Sequence, residues 1–193
     1  MPARVIGLLV LALAALGLAG CGPQSAVDEG GERKDPVALA AVLPTPNGLD
    51  ETQPARAVGP GPLASALVGR PDQAIAQRLR SRGLQAAAVR RWSGPGGARL
   101  VVAASVWPSH VTATSVGAQA AELLLARPGA TAWTPGDVPG ARGARRAGRE
   151  RALAFAVGPN SLFVYAEGPV GDATVARALS RLRRVAEGDA AEL

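Results

Sequence analysis

Ala98-Arg99-Leu100-Val101-Val102-Ala103-Ala104-Ser105-Val106-Trp107 is an almost wholly apolar run with a single charge, at Arg99. Leu100, Val102, Ala104 and Val106 recur at every second position, the period of a strand with one buried face. The intervening Val101, Ala103 and Trp107 are also apolar, so this strand reads as a central one. Just before it stands Ser93-Gly94-Pro95-Gly96-Gly97, and before that a second strand pattern from Gln85 to Trp92. Glycine and proline between two strand patterns make a hairpin turn. A phosphate-cradling loop would instead run from a strand into a helix and carry a Lys-Ser/Thr pair, and neither is present.

The same logic extends outward. Arg151–Val157 and Ser161–Glu167 form a second hairpin about Gly158-Pro159-Asn160, with Leu153, Phe155, Val157, Leu162, Val164 and Ala166 turned inward. Helical patterns flank these strands. Pro71-Asp72 opens one with Ile75, Ala76 and Leu79 on its apolar face, and Gly83 lies just past its end. Ser109–Ala126 is the second, with Val116, Ala120, Leu123 and Leu124 inward. The third starts at Asp172, which can cap it, and buries Val175, Ala178, Leu179, Leu182 and Val185. Thr131–Trp133 reads as a short strand, and Thr134–Gly148 as irregular. Hairpins alternating with helices predict a two-layer α+β domain over residues 63–193. Its antiparallel sheet would have four or five strands, two hairpins among them, packed against about three helices.

Residues 21–62 read differently. They are rich in Gly, Pro, Ala and acids, with Pro23, Pro36, Pro44, Pro46, Pro54, Pro60 and Pro62 and no sustained period. Such a segment buries too little apolar surface to offset its ordering entropy, so a disordered tether is expected. Val37–Leu43 alone is apolar enough for a short helix or for docking. A flexible chain of this length would reach on the order of 30–40 Å. Charge divides along the same boundary. Residues 22–55 carry two cations against six acids, and residues 56–193 carry 18 arginines against nine acids, net charges of −4 and +9. A basic domain on an acidic leash points to anionic partners: lipid head groups, phosphate polymers or an acidic protein. With six aromatics in all, base stacking has little support, and nucleic acid is not an expected partner.

The first 20 residues combine Arg4, an apolar run from Val5 to Leu18 and the small pair Ala19-Gly20, the pattern of a secretory signal. Leu18-Ala19-Gly20-Cys21 resembles the lipobox of bacterial lipoproteins. The resemblance implies diacylglyceryl transfer to the Cys21 thiol, cleavage before Cys21, and a lipid-anchored place on the extracytoplasmic face of the cell membrane. Two acyl chains hold stably where one does not, at about 0.8 kcal/mol per buried methylene. Cys21 is the only cysteine, so an exported domain must rest on its core without disulfides. Lipobox, acidic tether and compact domain together resemble the small uncharacterised lipoproteins of actinobacteria. The abundance of Arg, Ala, Gly and Pro fits a high-GC genome.

Residues that carry chemistry are scarce. His110 is the only histidine, there is no HExxH or GxSxG pattern, and no second soft ligand stands where a metal would need it. The nine acids of the domain show no spacing that pairs two carboxylates across a cleft. No catalytic residue, metal or cofactor is therefore expected. Trp92 and Trp107 end adjacent strands and read as core caps. The one constellation that points to binding is arginine: Arg142, Arg145 and Arg146 in the Gly/Pro-rich segment, and Arg177, Arg181 and Arg184 on the outer face of the last helix. Guanidinium groups suit bidentate contact with phosphate or carboxylate. The expectation is a non-enzymatic, membrane-anchored envelope protein that binds an envelope partner or anionic component. The alternative is a domain that captures a lipid or small apolar ligand between sheet and helices.

Overall fold

The computed structural model describes residues 32–188. The lipobox residues Leu18, Ala19 and Gly20, the signal segment 1–20 and Cys21 lie outside the described residues.

Five helices and seven strands make up the described part: α1 (Pro36–Ala41), β1 (Asp50–Ala57), α2 (Pro60–Val68), α3 (Gln73–Ser81), β2 (Ala86–Gly94), β3 (Ala98–Val106), α4 (His110–Leu125), β4 (Ala130–Ala132), β5 (Arg142–Arg146), β6 (Glu150–Val157), β7 (Asn160–Glu167) and α5 (Asp172–Glu187). All seven strands belong to one antiparallel sheet in the order β1-β2-β3-β7-β6-β5-β4. This corrects the expected two-layer domain of four or five strands and about three helices. The sheet is larger, and helices cover both of its faces. On one side α1 and α5 pack over Leu100, Val102, Ala104, Leu153, Leu162 and Val164. On the other, α2, α3 and α4 pack over Val89, Val101, Ala103, Trp107, Phe163 and Tyr165. The physical reason was present in β3: a strand apolar on both faces needs a layer on each.

The two missed strands have separate causes. β1 lies in the segment expected to be a disordered tether. It is polar, exposed along most of its length and carries Pro54, which an edge strand tolerates because one row of its N–H groups faces solvent. Its ladder to β2 is interrupted by register shifts between Glu51, Gln53 and Arg56. The chain before it is fixed by side chains from far away. Arg90 donates from Nη1 to the carbonyls of Ala41 (2.9 Å) and Leu43 (2.7 Å) and pairs with Glu51. Arg181 donates to the carbonyl of Val42 at 3.0 Å. Asn160, fully buried, donates to the Glu32 carbonyl at 2.8 Å and accepts from the Lys34 N–H at 3.0 Å. Backbone hydrogen bonding supplied by a distant Arg or Asn leaves no local period to read.

β5, in the segment read as irregular, has the sequence Arg-Gly-Ala-Arg-Arg, with only Gly143 and Ala144 buried. Gly143 looks like loop punctuation but serves close approach. A Cβ there would collide with the Leu153 side chain and lie 2.7 Å from the carbonyl oxygens of Ala152 and Trp133. Gly143→Ala is therefore expected to destabilise the domain by about 1–3 kcal/mol, read as a lower thermal midpoint, with β5 pushed off β6. The same change at Gly136, where a Cβ meets nothing within 4 Å, should be near neutral.

Candidate functional site

The two arginine groups meet different fates. In β5 the period of two sends Arg142 and Arg146 to the α4 side and Arg145 to the α5 side, so the three do not form one patch. Arg145 pairs with Asp172 at 2.7 Å, and Arg151 also engages Asp172. These contacts occupy the carboxylate that the sequence assigns to capping. The N-cap of α5 is Gly171, without a side-chain cap bond. Hydrogen bonds from Arg151, then Arg145, hold the Asp172 carboxyl below the usual range despite its partial burial. Arg142 lies elsewhere, on a small cavity of about 270 Å³ with His110, Thr114 and Phe155.

Arg146 joins a buried cluster that sequence spacing gave no means to find. Glu150 is 6% exposed. Arg127, just beyond the end of α4, donates to its Oε1, and the Tyr165 hydroxyl donates to the same oxygen at 2.8 Å. Arg146 Nη2 stands 3.0 Å from its Oε2. The second Arg127 amino group caps the carbonyl of Val68 at the end of α2, at 2.6 Å. Burial alone would raise the Glu150 carboxyl, but the Tyr165 and Arg127 hydrogen bonds and the charges of Arg127 and Arg146 outweigh it and lower it. Burial, then Glu150, pushes the Tyr165 phenol far above its ordinary range. Two cations around one carboxylate, closed off by a phenol, tie α2, α4, β5, β6 and β7 together. The arrangement is a structural tie that faces inward: Oε1 accepts from Arg127 and Tyr165, and the buried Oε2 is ion-paired with Arg146 without a hydrogen bond among the described residues.

Arg177, Arg181 and Arg184 share a surface. With positions 177, 181 and 184 on successive turns of α5, they line one wall of a groove of about 600 Å³. Leu43, Pro44, Thr45, Pro46 and Asn47 form the opposite wall, and Asp137, Thr174 and Ser180 complete it. Arg181 uses its Nε on Val42, which fixes the guanidinium at the foot of the groove. Arg177 and Arg184 are exposed. Among the described lining residues, three guanidinium groups stand with one carboxylate, that of Asp137, which favours an electropositive groove. Between Arg177 and Arg184 the helix advances about 10 Å. Hydroxyl and amide groups from Thr45, Asn47, Thr174 and Ser180 add neutral hydrogen-bonding capacity.

Trp92 and Trp107 are core residues, and Trp133 is half-buried. Trp92 and Trp107 are 1% and 0% exposed, on opposite faces of the sheet, and Trp133 packs on the α5 side. Among the described residues no group of three or more His, Cys, Asp and Glu could hold a metal ion. No described helix is long and apolar enough to cross a membrane.

Fold and groove thus define a basic domain: an antiparallel sheet between two helical layers, with an arginine-lined cleft beside its last helix. No protein-family model matches the chain, and no curated protein matches it. Among solved structures, the extracellular domain of PknH from Mycobacterium tuberculosis aligns with a TM-score of 0.54 at 10% identity, covering 82% of this chain and 100% of that chain. A putative uncharacterized protein (Rv0999 ortholog) from Mycobacterium smegmatis aligns with a TM-score of 0.45 at 14% identity, covering 78% and 96%. The likeness to the PknH domain is one of fold.

Proposed function

We propose that this chain is a lipid-anchored envelope protein whose domain binds an extended polyanion, such as a phosphate-bearing envelope polymer, without catalysing a reaction on it. The observation that carries the reading is the groove between Leu43–Asn47 and α5, where three arginines converge on one face. Its volume falls in the range of ligand sites, and its lining sets three arginines and the polar Thr45, Asn47, Thr174 and Ser180 among apolar residues such as Leu43 and Pro44. That lining favours an anionic ligand over the alternative of a captured lipid chain. On the α1–α5 side the space between sheet and helices is filled by side chains such as Leu100, Leu153, Leu162, Leu179 and Leu182, all at 0% exposure, and the cavity between α4 and the sheet is only about 270 Å³ and carries Arg142 and His110. Anchoring rests on Leu18-Ala19-Gly20-Cys21. Placement outside the cytoplasm is supported by the signal segment and by the shared fold with a domain that is extracellular in PknH.

Titration of the full mature protein with fluorescently labelled inorganic polyphosphate tests the reading. Arg177→Glu combined with Arg184→Glu leaves the Arg181 clasp on Val42 in place. Losing two charged contacts should weaken binding at least about 30-fold at low salt. Arg145→Glu, at a cation already held by Asp172, should change it little. Equal loss in both variants, or none in the first, would remove the groove from the account.

A further inference from the structure

The point at which the chain enters the domain also constrains how the domain faces the membrane. Asn160 is buried at the start of β7 and brackets the backbone of Glu32 and Lys34 from both sides, donating to one and accepting from the other. The chain is therefore fixed to the domain from Glu32 onward, and α1 follows at once with Pro36, Leu39 and Ala40 in the core. Cys21 lies eleven residues before Glu32. Eleven residues span at most about 40 Å even fully extended. The leash is thus a fraction of the 21–62 tether expected from composition.

Register and contacts show what shares that end of the sheet with Asn160. Val106 pairs with Asn160 and with Ala86, and Val157 pairs with Asn160 across the β6–β7 turn. The Trp107 N–H donates to the Pro159 carbonyl, which brings Pro108 and the start of α4 alongside. His110 Nδ1 lies 3.0 Å from the Gly158 carbonyl. Arg82, at the end of α3, reaches Ser115 in α4. This end therefore presents Val111, 76% exposed, and the exposed Pro108, with Arg82 reaching α4 beside them and Lys34 and the exposed Arg33 entering at the same end through Asn160. Glu32 and Asp35 are the acids on the entering segment, Glu32 paired to Lys34 and Asp35 capping α1. The opposite end carries the β5–β6 turn at Ala147 and Gly148.

We infer that the Asn160 end of the domain lies against anionic phospholipid head groups, with Val111 and Pro108 at the contact and Arg33, Lys34 and Arg82 around them. The inference rests on the reading of Cys21 as the lipid anchor. A short leash entering at this end keeps it nearest the bilayer. Each basic side chain not already offset by a carboxylate adds about 1 kcal/mol of attraction within a Debye length of an anionic surface; with Lys34 paired to Glu32, that attraction falls to Arg33 and Arg82. The exposed valine then occupies the interface rather than water.

The test uses the full chain, processed and acylated in a bacterial host and reconstituted in vesicles of phosphatidylglycerol and phosphatidylcholine. Acylation consumes the only native thiol, so Val111→Cys or Ala147→Cys gives a single labelling site. A fluorophore at each site is quenched by head-group-attached nitroxides. Val111→Cys should be quenched several-fold more strongly than Ala147→Cys. Equal quenching, or stronger quenching at Ala147→Cys, with the protein floating with the vesicles, would overturn the orientation alone. Failure to float, with label appearing on Cys21, would overturn the anchor and the orientation with it.

Discussion

Glu150→Gln will destabilise the domain by about 3 kcal/mol in denaturant unfolding, at the lower end of what removal of one partner from a buried ion pair costs. The lower end applies because the Arg127 and Arg146 side chains keep 25% and 27% of their surface exposed and can recover some hydration. The isosteric amide keeps the volume, so the loss reports charge rather than a cavity. It leaves two guanidinium groups facing each other around a neutral side chain, and weakens the grip of Arg127 on the end of α2. The pH dependence follows with a fixed sign. The folded-state carboxyl of Glu150 is lowered, as is that of Asp172. Their stabilisation is therefore fully present above the unfolded carboxylate range near pH ~4 and is lost as pH falls through the folded values. Wild-type stability should drop steeply on acidification below that range, and the drop should be shallower in Glu150→Gln. Identical acid profiles would place the stabilising charge elsewhere.

Trp92→Ala should cost about 3–5 kcal/mol, the range for emptying a large aromatic site in a core that collapses only partly. Trp92 is 1% exposed and sits on the α1–α5 side of the sheet, where Leu49, Ala98 and Leu100 belong to the same buried cluster. Arg90 lies over its ring at 4.7 Å while also holding Ala41, Leu43 and Glu51. Losing the ring therefore unseats the arginine that fixes the N-terminal segment. A second variant separates packing from polarity. The Trp92 indole N–H is buried with no hydrogen-bond partner among the described residues. Trp92→Phe removes that donor along with some volume, so its cost should fall well below that of Trp92→Ala. Thermal unfolding of the two variants side by side checks this, and comparable losses would show that the indole is needed for more than its bulk.

How much of this was legible in the sequence depended on whether the decisive contacts were local. β3 and β7 declared themselves by period two, and α5 by an apolar face at i, i+3, i+4 and i+7, because burial repeats along each element. The double-faced pattern of β3 already implied a second helical layer. β1 and β5 were hidden because their pairing depends on neighbours more than on their own side chains, and because Pro54 and Gly143 have edge-strand and close-approach roles that look like loop signals. One wall of the groove, the α5 arginine stripe, was visible. The other, Leu43–Asn47, was not, because Arg90 and Arg181 fix it from 47 and 139 residues away. The Arg127–Glu150–Tyr165 cluster had no readable spacing for the same reason.

Whether a polyanion binds in the groove beside α5 is decided by a chemical-shift map of the backbone amides during polyphosphate titration. Shifts should concentrate at Thr45, Asn47, Thr174, Arg177, Arg181 and Arg184 and fade as salt is raised. Shifts centred on Arg142, Arg145 and Arg146, or scattered over every exposed arginine, would contradict it.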